Sequence, residues 1–246
     1  MRSLDRTEYG LLDPVWDAFR AIALRLTPYA LLVVTGCAIP VVPYRAVYED
    51  PVNYVRLEHD DSVLPEWPPS AHAHPRLIAI EDMAHILRSI SVKEHRVWLQ
   101  KWLQGEAPMM PVFLPEELAL LSRQIAEALA LARPDERVTF YLSQPRTSVK
   151  RIITTGGVYI HGTEMHFILG NWQVIYGIPT YGMIYDRRYP MRPTAAKGFN
   201  LFFDPVEATV VQRHSFLDTL LANTKDELVI DLTKVFFGPI ASLASP

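Results

Sequence analysis

The spacing of apolar residues changes at Pro134, and this change constrains the fold more than any other feature of the chain. Before Pro134, residues 80–90 and 114–132 place apolar side chains three and four positions apart, which is the period of an amphipathic helix. After it, apolar and polar residues alternate, as they do along strands with one buried face. Helices followed by a run of strands predict an α+β fold, with a helical N-terminal half packed on a mainly antiparallel β-sheet.

Local signals predict where these elements begin and end. Pro115 lies in the first turn of the second helix and is followed by two glutamates, which suit the positive end of the helix dipole. Arg133-Pro134 ends that helix. Gly156-Gly157 and His161-Gly162 predict turns between strands. The predicted strands are residues 137–142, 151–155, 158–160, 164–169, 199–203, 208–212 and 228–232.

Cys37 is the only cysteine of the chain, and it follows an uncharged apolar segment. No charged residue lies between Arg25 and Arg45, and the apolar run of about 10 residues is too short to span a bilayer as a helix. A single cysteine excludes an intramolecular disulfide and a cysteine-based zinc site. The residues Val34-Thr35-Gly36-Cys37 resemble the lipobox of bacterial lipoproteins.

The resemblance implies a chemistry and a location for Cys37. It implies a thioether-linked diacylglycerol on Cys37, cleavage before this residue, and acylation of the new amino terminus, which together give stable membrane attachment. Ala38 stands where an aspartate would resemble the usual inner-membrane retention signal. The implied location is therefore the periplasmic face of the outer membrane, with the periplasmic face of the inner membrane as the alternative. Without acylation, residues 13–26 would be an ordinary amphipathic helix and Cys37 a small buried residue.

The leader suggests a division of the chain into three segments. Residues 1–36 are the predicted lipoprotein leader, residues 37–75 a proline-rich extended tether, and residues 76–246 a single α+β globular domain. Prolines at the density found in the tether interrupt helices and central strands. The net charge of −3 gives no electrostatic footprint for nucleic acid.

Three histidines near two aspartates are the candidate metal ligands. His59 precedes Asp60-Asp61, and extended backbone would direct His72 and His74 to the same side of the chain. The chain contains neither His-Glu-x-x-His nor Glu-x-x-His, so we expect no metal and no other cofactor. The nucleophile motif Gly-x-Ser-x-Gly is also absent, so the sequence predicts no catalytic residue.

Residues 172–197 combine aromatic and arginine side chains with prolines and glycines that interrupt regular structure. Long irregular connections are often functional, and Tyr, Trp and Arg dominate the energetics of protein interfaces. An alternative is a loop whose aromatic side chains pack beneath it and cover the sheet. The candidate partner- or ligand-binding residues are Trp172, Tyr176, Tyr181, Tyr185, Arg187, Arg188 and Tyr189.

These observations predict a lipid-anchored envelope lipoprotein that acts as a non-enzymatic binding or scaffold component of a periplasmic or outer-membrane assembly. Its expected partners are membrane lipid, through acylated Cys37, and an envelope protein, with no nucleic acid. The alternative is a lipid-anchored periplasmic metal-dependent hydrolase that uses His59, His72 and His74.

Overall fold

The computed structural model describes residues 42–64, 70–96, 98–177, 190–191, 198–210 and 227–236. All of these belong to the second of the two units into which the chain divides, residues 1–41 and 42–246. In chain order the described elements are β1 (Tyr44–Glu49), β2 (Tyr54–His59), α1 (Ile80–Arg88), β3 (Ile90–Glu94), α2 (Trp98–Gln104), β4 (Met109–Pro111), α3 (Pro115–Leu131), β5 (Glu136–Thr147), β6 (Lys150–His161), β7 (Glu164–Gly177), β8 (Phe199–Phe203), a 3₁₀ turn (Val206–Ala208), β9 (Glu227–Asp231) and α4 (Leu232–Phe236).

Antiparallel strands dominate this structure, and the predicted fold with a helical N-terminal half is wrong. Sheet A has six strands in the order β1-β2-β5-β6-β7-β9, and sheet B has three in the order β4-β3-β8. Strands β1 and β2 precede every described helix, and β3 follows α1 directly. The helical period of residues 80–90 therefore ends at α1, and Ile90 and Val92 are the buried, alternating residues of β3.

The first two strands lie in the segment that the sequence predicted to be an extended tether. They form an antiparallel pair, and β2 pairs in turn with β5 in the middle of the chain. Pro43 and Pro51 lie outside the strands, where a missing N–H removes no ladder hydrogen bond. Within the strands, Tyr44, Tyr48 and Tyr54 supply the aromatic side chains that strands favour. The proline content therefore concealed two strands.

Strand β6 runs through Gly156-Gly157, where the sequence predicted a turn. A Cβ atom at Gly156 would overlap the Ile168 carbonyl oxygen and the Phe140 ring, and one at Gly157 would overlap the Met191 side chain. The two glycines thus allow close packing on both faces of the sheet, which is a common reason for glycine within a strand. The turn between β6 and β7 lies at Gly162, whose φ is +60°.

One face of sheet A packs against α1 and α3 to form the main core. The predicted helix at residues 114–132 is confirmed as α3, and Glu117 accepts a hydrogen bond from the Leu114 N–H at 2.9 Å. In the described ranges, no helix is both long enough and apolar enough to cross a membrane. The core includes Met83, Ile86, Leu87, Leu121, Ile125, Leu129, Val138, Phe140, Val158 and Phe167.

Candidate functional site

The face of sheet A opposite the core carries an extended group of polar side chains. Since successive side chains of a strand point to opposite faces, the residues that alternate with the core residues lie here. Glu58 lies opposite Arg137 in the register of β2 and β5, and Tyr159 lies opposite His166 in that of β6 and β7. We call this group the polar network: Arg56, Glu58, Asp60, His72, Arg137, Tyr159, His166 and Glu227.

Asp60, directly after β2, is the most heavily engaged carboxylate of the polar network. It is 3% exposed and lies 3.1 Å from both His72 Nε2 and Arg137 Nη1. Its Oδ1 atom also accepts hydrogen bonds from the Ser62 hydroxyl at 2.7 Å and the Ser62 N–H at 3.0 Å. Burial raises the pKa of Asp60, but His72, Arg137 and Ser62 outweigh burial, so its pKa lies well below the ordinary range. Asp60 is therefore an ionised, fully engaged group.

His74 attaches the segment that carries both buried histidines to the end of β6. Its Nε2 atom accepts a hydrogen bond from the Ile160 N–H at 3.0 Å, and the Ala73 N–H donates to the Ile160 carbonyl oxygen at 2.7 Å. Burial, with a smaller contribution from the neighbouring His72, lowers the pKa of His74 to about 4. The His74 ring is therefore neutral near pH 7 and serves as a hydrogen-bond acceptor.

Glu227 joins two aromatic rings at the other end of the polar network. Its Oε1 atom accepts a hydrogen bond from the Tyr159 hydroxyl at 2.6 Å and lies 2.7 Å from His166 Nδ1. The Tyr159 and His166 rings are stacked, with centroids 4.5 Å apart. The His72 ring is tilted relative to the Tyr159 ring, and their centroids are also 4.5 Å apart. Burial and Glu227 raise the pKa of Tyr159, so its phenol stays protonated.

Arg56 and Glu58 complete the polar network on β2. The Arg56 guanidinium lies 4.0 Å from the Tyr44 ring centroid and 3.9 Å from that of Tyr54, and it is ion-paired with Glu49. Burial raises the pKa of Glu58, although the guanidinium groups of Arg137 and Arg56 act in the opposite direction. In the part of the chain that the structure describes, five buried side-chain nitrogen atoms have no hydrogen-bond partner: Arg56 Nε, Arg137 Nε, His72 Nδ1, His74 Nδ1 and His166 Nε2.

The three predicted metal ligands do not come together. His59 is 40% exposed, with its Nδ1 atom 3.4 Å from Asp135 and its Nε2 atom 3.8 Å from Asp61. The rings of His72 and His74 have centroids 5.4 Å apart, and the Nε2 atom of each is already engaged. Within the described ranges, no group of three or more His, Cys, Asp or Glu residues could hold a metal ion.

The histidines of this region contact a carboxylate or a backbone amide. His72 contacts Asp60, and His166 contacts Glu227. His74 accepts a hydrogen bond from the Ile160 N–H. These contacts are ion pairs and hydrogen bonds within the fold.

Of the seven candidate binding residues in the predicted aromatic loop, Trp172 and Tyr176 lie on β7, and the other five lie outside the described residues, as does Cys37. The Trp172 indole N–H donates to the Val112 carbonyl oxygen at 3.3 Å, and its ring packs edge-on against Phe199 at 6.0 Å. The backbone of Tyr176 pairs with Arg151. The undescribed members of the predicted set are Tyr181, Tyr185, Arg187, Arg188 and Tyr189.

At the end of this loop, Pro190 and Met191 pack on the polar face of sheet A. The Thr155 hydroxyl donates to the Pro190 carbonyl oxygen at 2.5 Å. A Cβ atom at Gly170 would overlap the Pro190 carbonyl oxygen and the Met191 backbone. These two residues therefore cover part of the sheet. The alternative interpretation of the loop expected such a cover from the segment as a whole.

Several of the largest exposed apolar side chains of the described chain lie on α2 and β4. We call Trp98, Leu99, Trp102, Leu103, Met109 and Met110 the apolar surface. Trp98 is 79% exposed and Trp102 is 77% exposed, and they are one helical turn apart. Leu103 is 66% exposed and Met109 52%. Side chains of this size are seldom exposed together unless they contact another molecule.

Charged residues adjoin the apolar surface. Lys93 and Lys101 both pair with Glu106, at 3.0 Å and 3.3 Å. Arg96 donates from Nη1 to the carbonyl oxygens of Gln104 and Gly105, at 3.2 Å and 3.0 Å, and so fixes the end of α2.

The apolar surface was not singled out by the sequence analysis. Periodicity shows that a helix has an apolar face, but it does not show whether another element covers that face. The available signal was the pair Trp98 and Trp102 among basic residues, with no acidic residue between Glu94 and Glu106.

The polar network and the apolar surface are thus the two features of the described chain on which a function can rest. The polar network pairs its charges internally, whereas the apolar surface exposes large side chains to solvent. Comparison with known proteins assigns neither of them, since no family model, no curated protein and no solved structure matches this chain.

Proposed function

We propose that the chain is a lipid-anchored, non-enzymatic binding or scaffold component of an envelope assembly at the periplasmic face of the outer membrane. The anchor is acylated Cys37, and the basis for it is the lipobox-like sequence that ends at this residue. The single observation that carries the binding role is the apolar surface. Two tryptophans with more than three quarters of their area in solvent are typical of a contact site.

The contacts of the polar network support binding over catalysis. Asp60 is occupied by His72, Arg137 and Ser62. Glu227 is occupied by Tyr159 and His166. These carboxylates hold β2, β5, β6, β7 and β9 to one another and to the segment before α1, which is a structural role.

The anchor is tested by labelling cells with a palmitate analogue and fractionating the envelope. We expect label on the wild-type protein and recovery in the outer-membrane fraction, with an envelope protein co-purifying after mild solubilisation. The Cys37→Ala variant is the control and should carry no label. Recovery of unlabelled wild-type protein in the soluble fraction would refute the anchor.

The contact role is tested by placing a photo-crosslinking amino acid at position 98 and irradiating intact envelopes. Position 77 is the matched control, because Leu77 is 85% exposed and lies outside the apolar surface. We expect adducts from position 98, to lipid or to protein, and few from position 77. Equal yields from the two positions would show that the apolar surface is not a contact site.

A further inference from the structure

The molecule that contacts the apolar surface can be inferred from the exposure, charge and residue types of this surface. We infer that the apolar surface docks on the headgroup layer of a bilayer containing anionic phospholipid, and this inference rests on the proposed binding function. It gives the protein a second membrane contact, separate from the acyl chains on Cys37.

The side chains of the apolar surface are largely exposed. They are between 38% and 79% exposed, and the most exposed are Trp98, Trp102 and Leu103 of α2. Exposed apolar side chains can enter a soft headgroup layer without a preformed complementary surface, whereas a protein partner has to supply one. Exposure of this kind is therefore sufficient for contact with a bilayer.

The charge around the apolar surface is complementary to anionic lipid. Lys93 and Lys101 share a single carboxylate, that of Glu106. Arg96 is bound to carbonyl oxygens and has no ion pair with a described acidic residue. Residues 93–106 contain three basic side chains, Lys93, Arg96 and Lys101, against two acidic ones, Glu94 and Glu106, whereas the whole chain has a net charge of −3. Basic residues close to an anionic membrane surface each contribute favourably to binding.

The residue types match the requirements of an interfacial helix. Tryptophan concentrates at the headgroup level of membranes because its ring is apolar and its indole N–H is polar. Interfacial helices combine Trp and Leu on one face with Lys and Arg on the other. Met109 and Met110 add flexible apolar side chains on the neighbouring strand.

Vesicle binding of the full chain carrying Cys37→Ser and produced without acylation tests the inference. The probe is a vesicle of phosphatidylglycerol and phosphatidylethanolamine, and binding is measured by co-sedimentation. We expect the Trp98→Ser/Trp102→Ser variant to bind at least about tenfold more weakly, since two large apolar side chains no longer leave water. The matched control, Leu77→Ser/Val206→Ser, removes two side chains that are 85% and 71% exposed elsewhere, and it should bind like the parent.

Fluorescence quenching by brominated lipid identifies which residues enter the bilayer. The Trp98→Phe/Trp102→Phe variant keeps two large apolar rings and should retain binding. It should also lose the part of the quenching that comes from positions 98 and 102. The remaining three of the five tryptophans give the background signal. This variant is conservative at exposed positions, so its fold is preserved.

The charge requirement is tested by reversing one lysine. Lys101→Glu should weaken binding to anionic vesicles by about thirtyfold, because the reversal changes the charge by two and each charge near the membrane surface contributes roughly 1 kcal/mol. It should not alter the weaker binding to phosphatidylcholine vesicles. Lys234→Glu, which reverses a lysine of similar exposure on α4, should have little effect.

Some outcomes would overturn the inference and leave the proposed function intact. Unchanged vesicle binding of Trp98→Ser/Trp102→Ser, or unchanged quenching in Trp98→Phe/Trp102→Phe, would overturn bilayer docking. So would crosslinks from position 98 in envelopes that go only to protein, although these would support the proposed binding function. Failure of position 98 to crosslink at all would instead refute the proposed contact site itself.

Discussion

The buried Asp60 carboxylate stabilises the fold through charged and polar partners from three parts of the chain. Replacing it in Asp60→Asn leaves the Arg137 guanidinium and the His72 ring without their anion in a buried setting. We expect the free energy of unfolding at pH 7 to fall by about 3 kcal/mol, measured by urea denaturation. Asp61→Asn is the control, since the Asp61 side chain is 92% exposed, and its effect should stay below about 0.5 kcal/mol.

The same carboxylate gives a pH dependence with a definite sign. The pKa of Asp60 in the folded protein lies below its ordinary value of 3.8, so the unfolded chain takes up the proton first as the pH falls. Its stabilisation is therefore complete well above pH 4 and is lost progressively below it. Equal stability of Asp60→Asn and the wild type at pH 7 would contradict this role for Asp60.

The lowered pKa of His74 predicts a second loss of stability, at a higher pH than the loss that comes from Asp60. The pKa of His74 is about 4 in the folded protein, against an ordinary value of 6.5. At a pH between about 4 and 6.5, the imidazole therefore binds a proton in the unfolded state but not in the folded state. Stability should therefore decline as the pH falls from 7 towards 4. His74→Gln keeps an acceptor for the Ile160 N–H and removes the titration. Between pH 7 and pH 5, the free energy of unfolding of this variant, measured by urea denaturation, should fall by about 1–2 kcal/mol less than that of the wild type.

His85→Gln is the matched control for the His74 experiment, because His85 is exposed on α1. It should show the same pH slope as the wild type. Buried carboxyls with a raised pKa, such as Glu58 and Glu117, have an opposite effect on the slope, but they are present in every variant and cancel in the comparison. A His74→Gln slope identical to that of the wild type would show that this ring does not titrate on unfolding.

At the scale of elements, the packing of Pro190 and Met191 on sheet A depends on a glycine of β7. Gly170→Ala would place a Cβ atom against the Pro190 carbonyl oxygen and the Met191 backbone, neither of which can rotate away. We expect a loss of about 1–3 kcal/mol in thermal or urea denaturation, as in other overpacked sites. Gly198→Ala adds the same methyl group where nothing lies within 4 Å, and its effect should be small. If Gly170→Ala left the free energy of unfolding unchanged, the contact between β7 and residues 190–191 would contribute little to stability.

The elements differ in how far their sequence could predict them. Helix α3 follows from Pro115, the glutamates after it and the apolar period, all of which are local signals. Gly156 and Gly157 predicted a turn because their local preference is for turns, yet contacts with Phe140 and Met191 place them within a strand. Such contacts join residues distant in sequence, and neither propensity nor periodicity contains them.

The same distinction applies to the candidate sites. The proximity of His72 and His74 follows from their spacing in extended backbone, but the distance of His59 from them depends on how β2 ends and the chain turns at Asp60. The link between Glu227 and His166 joins residues 61 positions apart, through the pairing of β7 with β9. The exposure of Trp98 and Trp102 depends on what the rest of the chain leaves uncovered, which is a property of the whole molecule.

For the whole molecule, two proposed membrane contacts on one chain predict an avidity effect. The acyl chains on Cys37 would hold the apolar surface at a high effective concentration near the bilayer, so docking needs little further affinity.

Lys101→Glu, expected to weaken vesicle binding of the unacylated chain, should therefore leave the acylated protein in the membrane fraction. Its residues 98–104 should keep most of their protection from amide hydrogen exchange on vesicles. With Trp98→Ser/Trp102→Ser the acylated protein should also stay membrane-bound, but that protection should be lost. Release of the acylated Lys101→Glu protein would show that Cys37 is not the dominant anchor, because one surface charge cannot outweigh several buried acyl chains.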